Sequence, residues 1–290
     1  MNSKLGMSIE DFQERFEASS EGKSKIAKLA KERDEISHAL NSVVLERKGN
    51  KFELPIKENQ FRIAIISDLH IGSLYENLSV IEACYKRCIS EGISDILMPG
   101  DIFDGHKIYA GQEFELHKRG WDEQREWGLK VIPYSPKIKV HFITGNHDHS
   151  FKKCAGISVG KEWAKLRPDW NFVGEDYGDV TFTTRSGRKF VISMLHPDGG
   201  SAYTLSYKPQ RIVEQLEGGT KPNIMLIGHF HKAEFIPSYR NVAVLQAGTG
   251  QRQTPFMKRK PSAAHVGFWN LEVTIGKMTN SIKAEFSAFY

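Results

Sequence analysis

The sequence predicts an α/β layered domain with mixed sheets. Three observations support this prediction: short apolar runs recur from residue 61 onwards, helical stretches separate some of them, and the late part of the chain has the alternating pattern of hairpins and meanders. The clearest helical stretches lie at 76–90 and 207–217. The strand-like runs lie at 61–66, 95–98, 139–143, 189–195 and 224–227, followed by meander strands at 241–247 and from residue 267 onwards. We therefore expect the antiparallel strands to be gathered late in the chain.

The composition of the chain changes near residue 58. Its 290 residues are 40% hydrophobic and 26% charged, which is enough for one large domain with a small appendage. Residues 1–57 are charge-rich and helical in pattern, and they end in two short strand-like runs around a Lys-Gly-Asn turn. This segment is similar to a small winged helix-turn-helix module; the alternative is a helical arm packed on the main domain. We expect the main domain at 58–290.

The cysteine content and the length of the apolar runs bear on the cellular compartment. Cys84, Cys88 and Cys154 make no disulfide framework, and the first two lie four residues apart in a helical pattern, which indicates reduced thiols in the core. The N-terminus lacks the apolar core of a signal peptide, and the longest apolar runs have the length of strands. We expect a cytoplasmic protein without a membrane span. The formal net charge of +5 permits an anionic partner without requiring one.

Five of the strand-like runs are followed immediately by side chains that can bind metal ions. Since ligands of α/β sheets bind outside the carboxyl ends of the strands, neighbouring strands would bring these side chains together. Carboxylate and amide oxygens and imidazole nitrogens suit Mn, Fe or Zn, and seven such ligands are too many for one ion. A shared aspartate can bridge two ions about 4 Å apart. The residues occur as Asp68-Leu69-His70, Gly100-Asp101-Ile102-Phe103-Asp104, Gly145-Asn146-His147-Asp148, His196 and Gly228-His229-Phe230-His231.

These five blocks, in this order, resemble those of the calcineurin-like metallophosphoesterase superfamily. The resemblance implies a four-layer α/β/β/α sandwich with two mixed sheets. It also implies two divalent metal ions as cofactors, with Mn expected first and Fe or Zn as alternatives. The first ion would take Asp68, His70 and His231, the second would take Asn146, His196 and His229, and Asp101 would bridge them.

The same resemblance implies a metal-dependent hydrolase of phosphoester bonds. His147 matches the catalytic histidine, a general acid that protonates the leaving oxygen, and Asp104 would hydrogen-bond to His147 and raise its basicity. The attack on phosphorus would come from a metal hydroxide, because a divalent ion lowers the pKa of bound water to about 7. Two divalent ions outweigh the two anionic ligands, Asp68 and Asp101, so the site stays positive and suits a phosphate.

Two segments outside the five blocks bear on the substrate. The insertion at 105–130 interleaves aromatic and basic side chains, as does the loop at 248–265, which follows a late strand and is expected at a rim of the cleft. Such interleaving suits single-stranded or frayed nucleic acid. The alternatives are that the insertion is an amphipathic helix that caps the core or forms a dimer contact, and that the basic loop is solvated surface. The candidate substrate contacts are Arg252, Lys258, Arg259 and Lys260 in the loop, and His106 and His149 beside the motifs, for which a surface role is equally open.

These segments favour a phosphodiesterase that acts on nucleic acid, similar to Mre11-like DNA repair nucleases, with DNA as the expected partner. One alternative is a phosphomonoesterase, or a phosphodiesterase of nucleotides or other small molecules, in which the basic segments are incidental. Another is an inactive phosphoesterase fold that serves as a binding subunit, as in some polymerase accessory subunits. The intact ligand set argues against an inactive site. The oligomeric state stays open, a homodimer included.

Overall fold

The computed structural model describes residues 51–290 apart from Ser201, Gly218, Thr220 and Met278, together with Lys28. Within this part the chain forms two six-stranded sheets and six α-helices. The helices expected before residue 50, and with them the choice between a winged module and an arm, lie outside the described residues. No helix of the described part is both long and apolar enough to cross a membrane.

The first sheet combines parallel strands with an antiparallel pair from the end of the chain. Its strands are β2 (Gln60–Ile65), β3 (Asp95–Pro99), β4 (Lys139–Thr144), β5 (Trp170–Glu175), β11 (Gly267–Ile275) and β12 (Asn280–Ala288). Their order is β12-β11-β2-β3-β4-β5. Strands β2 to β5 run parallel, and β11 pairs antiparallel with β2 on one side and with β12 on the other.

The second sheet is mixed as well. Its strands are β1 (Lys51–Ile56), β6 (Tyr177–Thr184), β7 (Lys189–Leu195), β8 (Ile224–Ile227), β9 (Ala233–Tyr239) and β10 (Val242–Ala247), in the order β1-β6-β7-β8-β10-β9. The β6–β7 and β9–β10 pairs are antiparallel, whereas β7, β8 and β10 run parallel to one another. The expected gathering of antiparallel strands in the later part of the chain is thereby confirmed.

The helices lie between the strands in sequence. They are α1 (Leu78–Glu91), α2 (Gly120–Val131), α3 (His149–Ala155), α4 (Val159–Leu166), α5 (Tyr207–Glu214) and α6 (Pro255–Arg259), with a 3₁₀ turn at Gln112–Phe114. α1 ends at Gly92, whose φ of 67° is the left-handed conformation that commonly terminates helices. Two sequence-predicted helices, at 76–90 and 207–217, correspond to α1 and α5.

Alternating side chains in the strands build the four layers. In β2, Ile63 and Ile65 pack between the two sheets, while Ala64 belongs to a core cluster with residues of α1 such as Ile81. The same alternation in β8 sends Ile224 and Leu226 between the sheets, and it sends Met225 and Ile227 to a third cluster with α5. Both faces of each sheet are therefore covered, which is why these strands read as continuous apolar runs. The predicted α/β/β/α sandwich is confirmed.

Strand β1 corrects the expected domain boundary. We placed residues 51–56 in the N-terminal segment, as the second strand of a short hairpin. In the structure β1 pairs in parallel with β6, from Lys51 opposite Asp179 to Ile56 opposite Thr184, and among the described strands it is the outermost of the second sheet. The main domain therefore includes these residues and begins before residue 58.

Candidate metal centre and cleft

Five strand ends bring the predicted ligand residues together at the seam between the two sheets. β2, β3 and β4 of the first sheet lead into Asp68, Asp101 and Asn146, and β7 and β8 of the second sheet lead into His196 and His229. Main-chain hydrogen bonds hold the loops in register: the amide of Asp68 donates to Gly100 O at 3.1 Å. The convergence that the sequence predicted is therefore present.

The backbone adopts an unusual conformation at five of these residues. Positive φ angles of 48° to 73° occur at Asp68, His70, Asp101, His229 and His231. Residues with a side chain rarely adopt this left-handed region, which costs on the order of 1–3 kcal/mol at each position. Such strain persists only where surrounding contacts determine it. Predicted ligands make up five of the ten described non-glycine residues with a positive φ, and strain of this kind is typical of functional sites.

Glycine is required where the chain passes closest to the ligands. A Cβ at Gly145 would lie 2.3 Å from Oδ1 of Asp101 and 2.6 Å from Nε2 of His196. A Cβ at Gly228 would lie 2.2 Å from the main-chain oxygen of Pro99. Both distances are far below van der Waals contact. The absence of a side chain at these positions therefore allows the ligand side chains to crowd together.

The first group of ligand atoms contains Asp68, His70 and His231. Nε2 of His231 lies 3.3 Å from Oδ1 of Asp68 and 3.1 Å from Nε2 of His70. The Nδ1–H of His70 donates to Oδ1 of Asp104 at 3.0 Å, so Nε2 of the neutral ring carries a lone pair. Burial lowers the pKa of His70 and the positive charge of His147 lowers it further, which favours this neutral form. A lone pair aimed at another nitrogen 3.1 Å away suits a cation between them.

The second group contains Asp101, His196 and His229, with Asn146 beside it. Nε2 of His196 lies 3.1 Å from Oδ2 of Asp101 and 3.1 Å from Oδ1 of Asn146. Burial lowers the pKa of His196, but the negative charge of Asp101 and its hydrogen bond outweigh burial and raise the pKa to about 10. Burial and the charge of His196 lower the pKa of His229 to about 4. Without a metal ion, a proton on His196 therefore balances the buried carboxylate.

Main-chain acceptors fix the orientation of the remaining imidazoles. Nδ1–H of His196 donates to Pro99 O at 2.8 Å, and Nε2–H of His229 donates to Gly199 O at 2.6 Å. Because a carbonyl can only accept, the other nitrogen of each ring is left for a ligand. Oxygen and nitrogen donors without a thiolate suit hard or borderline divalent cations. The residues therefore fit the two divalent ions that the motif predicts, and Asp101 lies between the two groups, 3.9 Å from Nε2 of His70.

The hydrogen bond expected between Asp104 and His147 is made by the main chain of Asp104. The Nδ1–H of His147 donates to the main-chain oxygen of Asp104 at 2.6 Å. The Asp104 carboxylate accepts from His70. Burial lowers the pKa of His147, but the negative charges of Asp101 and Asp104 outweigh it and raise the pKa. Asp104 therefore acts on His147 through its charge and its backbone, and on His70 through its carboxylate.

Three buried polar residues support the site without having been predicted. Gln112 and Gln251 each donate an amide hydrogen to the carboxylate of Asp104, at 3.0 Å and 3.1 Å. The carboxylate of Asp148 accepts from the main-chain amides of residues 102, 103 and 145 at 3.0–3.2 Å, and thereby ties the loop after β3 to the loop after β4. The sequence could have indicated Asp148, because it stands within a motif block. No local pattern in the sequence distinguishes Gln112 and Gln251 from other glutamines.

A cleft of about 530 Å³ opens above the ligand groups. The aromatic wall, which we define as Tyr109 and Phe256, lines one part of it; the two rings stack with centroids 4.4 Å apart and an angle of 18° between their planes. Tyr109 comes from the insertion at 105–130 and Phe256 from α6 in the basic loop. Of the four predicted basic contacts in that loop, Lys260 lines the cleft, with its ammonium 5.9 Å from the Phe256 ring. The two segments that the sequence singled out therefore meet beside the metal centre.

The other residues proposed for substrate contact lie elsewhere in the described part of the chain. Arg252, Lys258 and Arg259 are exposed and do not line the cleft. His106 does not line it either, and the ring of His149 is held by Thr144 at 3.0 Å and by Asp176 at 3.3 Å. The two tryptophans of the insertion, Trp121 and Trp127, pack against the hydrophobic core. This part of the insertion is therefore an amphipathic helix that covers the core, which is one of the alternatives to a nucleic-acid contact.

Comparisons with known proteins agree with this geometry. Residues 61–233 match the family described as Calcineurin-like phosphoesterase. The chain is 26% identical over 244 residues to the DNA polymerase II small subunit of Methanothermobacter thermautotrophicus, a match that covers 70% of this chain and 50% of that protein. It is 26% identical over 247 residues to the subunit of the same name from Pyrococcus furiosus, covering 70% of this chain and 39% of that protein. The chain thus spans half or less of the length of these relatives.

A dimetal phosphatase from Danio rerio is similar among solved structures. It superposes with a TM-score of 0.40 at 10% identity, covering 77% of this chain and 95% of that one. The family match itself extends over more than half of the sequence, from β2 to the start of β9, and it includes all five ligand-bearing loops. The chain belongs to the calcineurin-like phosphoesterase family.

Proposed function

We propose that this protein hydrolyses phosphodiester bonds in DNA at a centre of two divalent metal ions. The observation that carries the proposal is that His147, members of both ligand groups and the aromatic wall line one cleft. Such a cleft offers a place for a phosphate, a proton donor for the leaving oxygen and an aromatic surface for a base.

His147 is the residue that we assign to proton transfer. Its Nδ1–H is held by the main-chain oxygen of Asp104, so Nε2 carries the proton that is given to the leaving oxygen. The negative charges of Asp101 and Asp104 favour the protonated ring, as the direction of its pKa indicates. The main-chain amide of His147 donates to Oδ1 of Asp101 at 2.9 Å, and this bond fixes the imidazole relative to the ligand groups.

The ligand residues would bind the ions, and their hydrogen-bond partners would keep the ligand side chains in place. When bound, divalent ions lower the pKa of water and stabilise negative charge on the phosphate. In the assignment that we propose, with Mn²⁺ as the expected metal, Asp101 would serve both ions. The first ion would be held by Asp68, His70 and His231, and the second by Asn146, His196 and His229.

A second candidate function follows from the names of the relatives. Proteins called DNA polymerase II small subunits support a role in DNA metabolism. They also favour a subunit of a DNA polymerase in which the phosphoesterase fold binds without cleaving. Hydrolysis remains our first proposal, because an inactive site has no need for converging ligands with oriented imidazoles. A phosphomonoesterase is the remaining alternative.

An assay of three substrates with one matched variant separates these functions. Purified protein with Mn²⁺ is given labelled single-stranded DNA, bis(p-nitrophenyl) phosphate and p-nitrophenyl phosphate. We expect hydrolysis of both diesters and little of the monoester. Asn146→Ala, prepared in parallel, should lose that activity and thereby excludes a contaminating nuclease. Preferential hydrolysis of the monoester would favour the phosphomonoesterase, and DNA binding without hydrolysis of any substrate would favour the binding subunit.

A further inference from the structure

The lining of the cleft is of two chemical kinds. His147 and members of both ligand groups are polar or charged. The lining also extends over apolar side chains, including Ile108, Met257 and the aromatic wall. A phosphate site has no need for an apolar extension of this kind. The extension indicates that the molecule bound there carries a flat apolar group close to its phosphate.

The aromatic wall is fixed by its surroundings rather than carried on a loose loop. The hydroxyl of Tyr109 donates to Oε2 of Glu115 at 2.8 Å, and Glu115 is buried. Phe256 stands on α6, whose first turn is closed by a hydrogen bond from the amide of Met257 to Oγ1 of Thr254 at 3.2 Å. Because both rings are held before any ligand arrives, little conformational entropy is lost when a third ring joins the stack.

The polar groups next to the wall offer little for reading the edge of a base. Gln251 donates its amide to Ser73 and Asp104, and the Thr254 hydroxyl caps α6. Among the described residues of the loop at 251–262 that line the cleft, these bonds do not engage the Ser262 hydroxyl and the Lys260 ammonium. They also leave the amide oxygen of Gln251 and the hydroxyl hydrogen of Thr254, but both side chains are buried. A base edge is read by pairs of donors and acceptors in fixed positions, whereas a stacked face is shared by all bases.

We propose that the aromatic wall and Lys260 form a subsite for a single nucleobase, which stacks on the wall without regard to its identity while its own phosphate lies at the ligand groups. This inference rests on the proposed action on DNA and adds where a nucleotide is held. Stacking provides affinity, and Lys260 supplies a positive charge beside the ring. The subsite thus distinguishes nucleotides from phosphates that lack a base.

Calorimetric titration of the Mn²⁺-loaded protein tests the subsite directly. The probes are dAMP, dTMP and 2-deoxyribose 5-phosphate, which share a phosphate and differ in the base; monophosphates are products, not substrates, of a diesterase. We expect both nucleotides to bind roughly 5- to 150-fold more tightly than the sugar phosphate, the range that one aromatic stack provides. Equal binding of all three probes would overturn the proposal.

Variants assign the effect to the wall. Phe256→Ala should bring dAMP down to the affinity of 2-deoxyribose 5-phosphate and leave the sugar phosphate unchanged. Phe256→Leu keeps the apolar volume without the aromatic face and should give an intermediate loss if the alanine variant folds poorly. Phe114→Ala is the matched control, because Phe114 belongs to the same insertion, is 77% exposed and does not line the cleft. Equal losses of all probes in Phe256→Leu would contradict stacking.

Hydrolysis of labelled DNA by the same preparation separates this inference from the proposed function. DNA hydrolysis together with base-independent binding of the monophosphates would remove the subsite and leave the function standing. Base-dependent binding without DNA hydrolysis under any divalent metal would support the subsite and refute the hydrolytic function.

Discussion

Replacing Gly145 by alanine should weaken metal binding strongly, although no ligand residue is substituted. The new Cβ would lie 2.3 Å from Oδ1 of Asp101 and 2.6 Å from Nε2 of His196. Ordinary contact is roughly 3.5 Å, so the Asp101 carboxylate must move by about 1 Å. Metal–ligand distances tolerate deviations of only about 0.2 Å. Because one displaced side chain is the proposed bridge, both ions are affected, and disturbing the groups that orient metal ligands typically costs about 10- to 100-fold in metal affinity.

Titration calorimetry with Mn²⁺ and elemental analysis measure this effect. We expect Gly145→Ala to bind Mn²⁺ roughly 10- to 100-fold more weakly than the wild type, with a similar far-UV circular dichroism spectrum. Gly219→Ala is the matched control, since nothing lies within 4 Å of its Cβ position. Retention of two tightly bound Mn²⁺ ions in Gly145→Ala would show that the strand ends do not approach the metals as closely as the structure indicates.

Three further predictions concern the same centre. The pKa of His196 is raised to about 10 in the metal-free protein, so its proton must leave when a metal binds. Mn²⁺ affinity should therefore rise with pH between 7 and 9, and calorimetry in two buffers should show about one proton released. A pH-independent affinity would contradict this. Asp101→Ala should remove both ions, whereas Asn146→Ala should retain part of the metal; equal metal loss in elemental analysis would argue against the bridging position of Asp101. His147→Ala should keep both ions but slow hydrolysis of diesters with poor leaving groups by roughly 10²- to 10⁴-fold, with a smaller loss for nitrophenyl esters that need no proton; equal losses for both substrates would exclude the acid role.

The sequence predicted most of the first and second sheets because their strands are short apolar runs bounded by turn signals. The runs at 189–195 and 224–227 coincide residue for residue with β7 and β8. The pairing of β1 with β6 was not predicted, because β6 lies more than a hundred residues later in the chain. A local pattern shows that a segment is extended but not which strand it joins.

For the candidate site, too, the sequence predicted one part and not another. Residue types and strand ends were enough to predict that the ligands converge, because every parallel strand delivers its last residues to one edge. The pattern could not tell which atom of Asp104 meets His147, since carboxylate and carbonyl belong to one residue. Nor could it separate Tyr109, which lines the cleft, from Trp121, which packs on the core, because both are aromatic positions of one insertion.

The seam between the two sheets has a mechanical consequence. In the proposed assignment each ion draws ligands from both sheets: His70 and Asn146 follow strands of the first, whereas His231 and His196 follow strands of the second. Bound ions would therefore act as cross-links between two layers that otherwise adhere through apolar side chains. Any ligand of the folded state raises its stability by mass action. Here the added stability should mainly oppose movement of one sheet relative to the other. Removing the ions with a chelator should therefore speed amide hydrogen exchange in the loops at the seam more than in the helices on the outer faces.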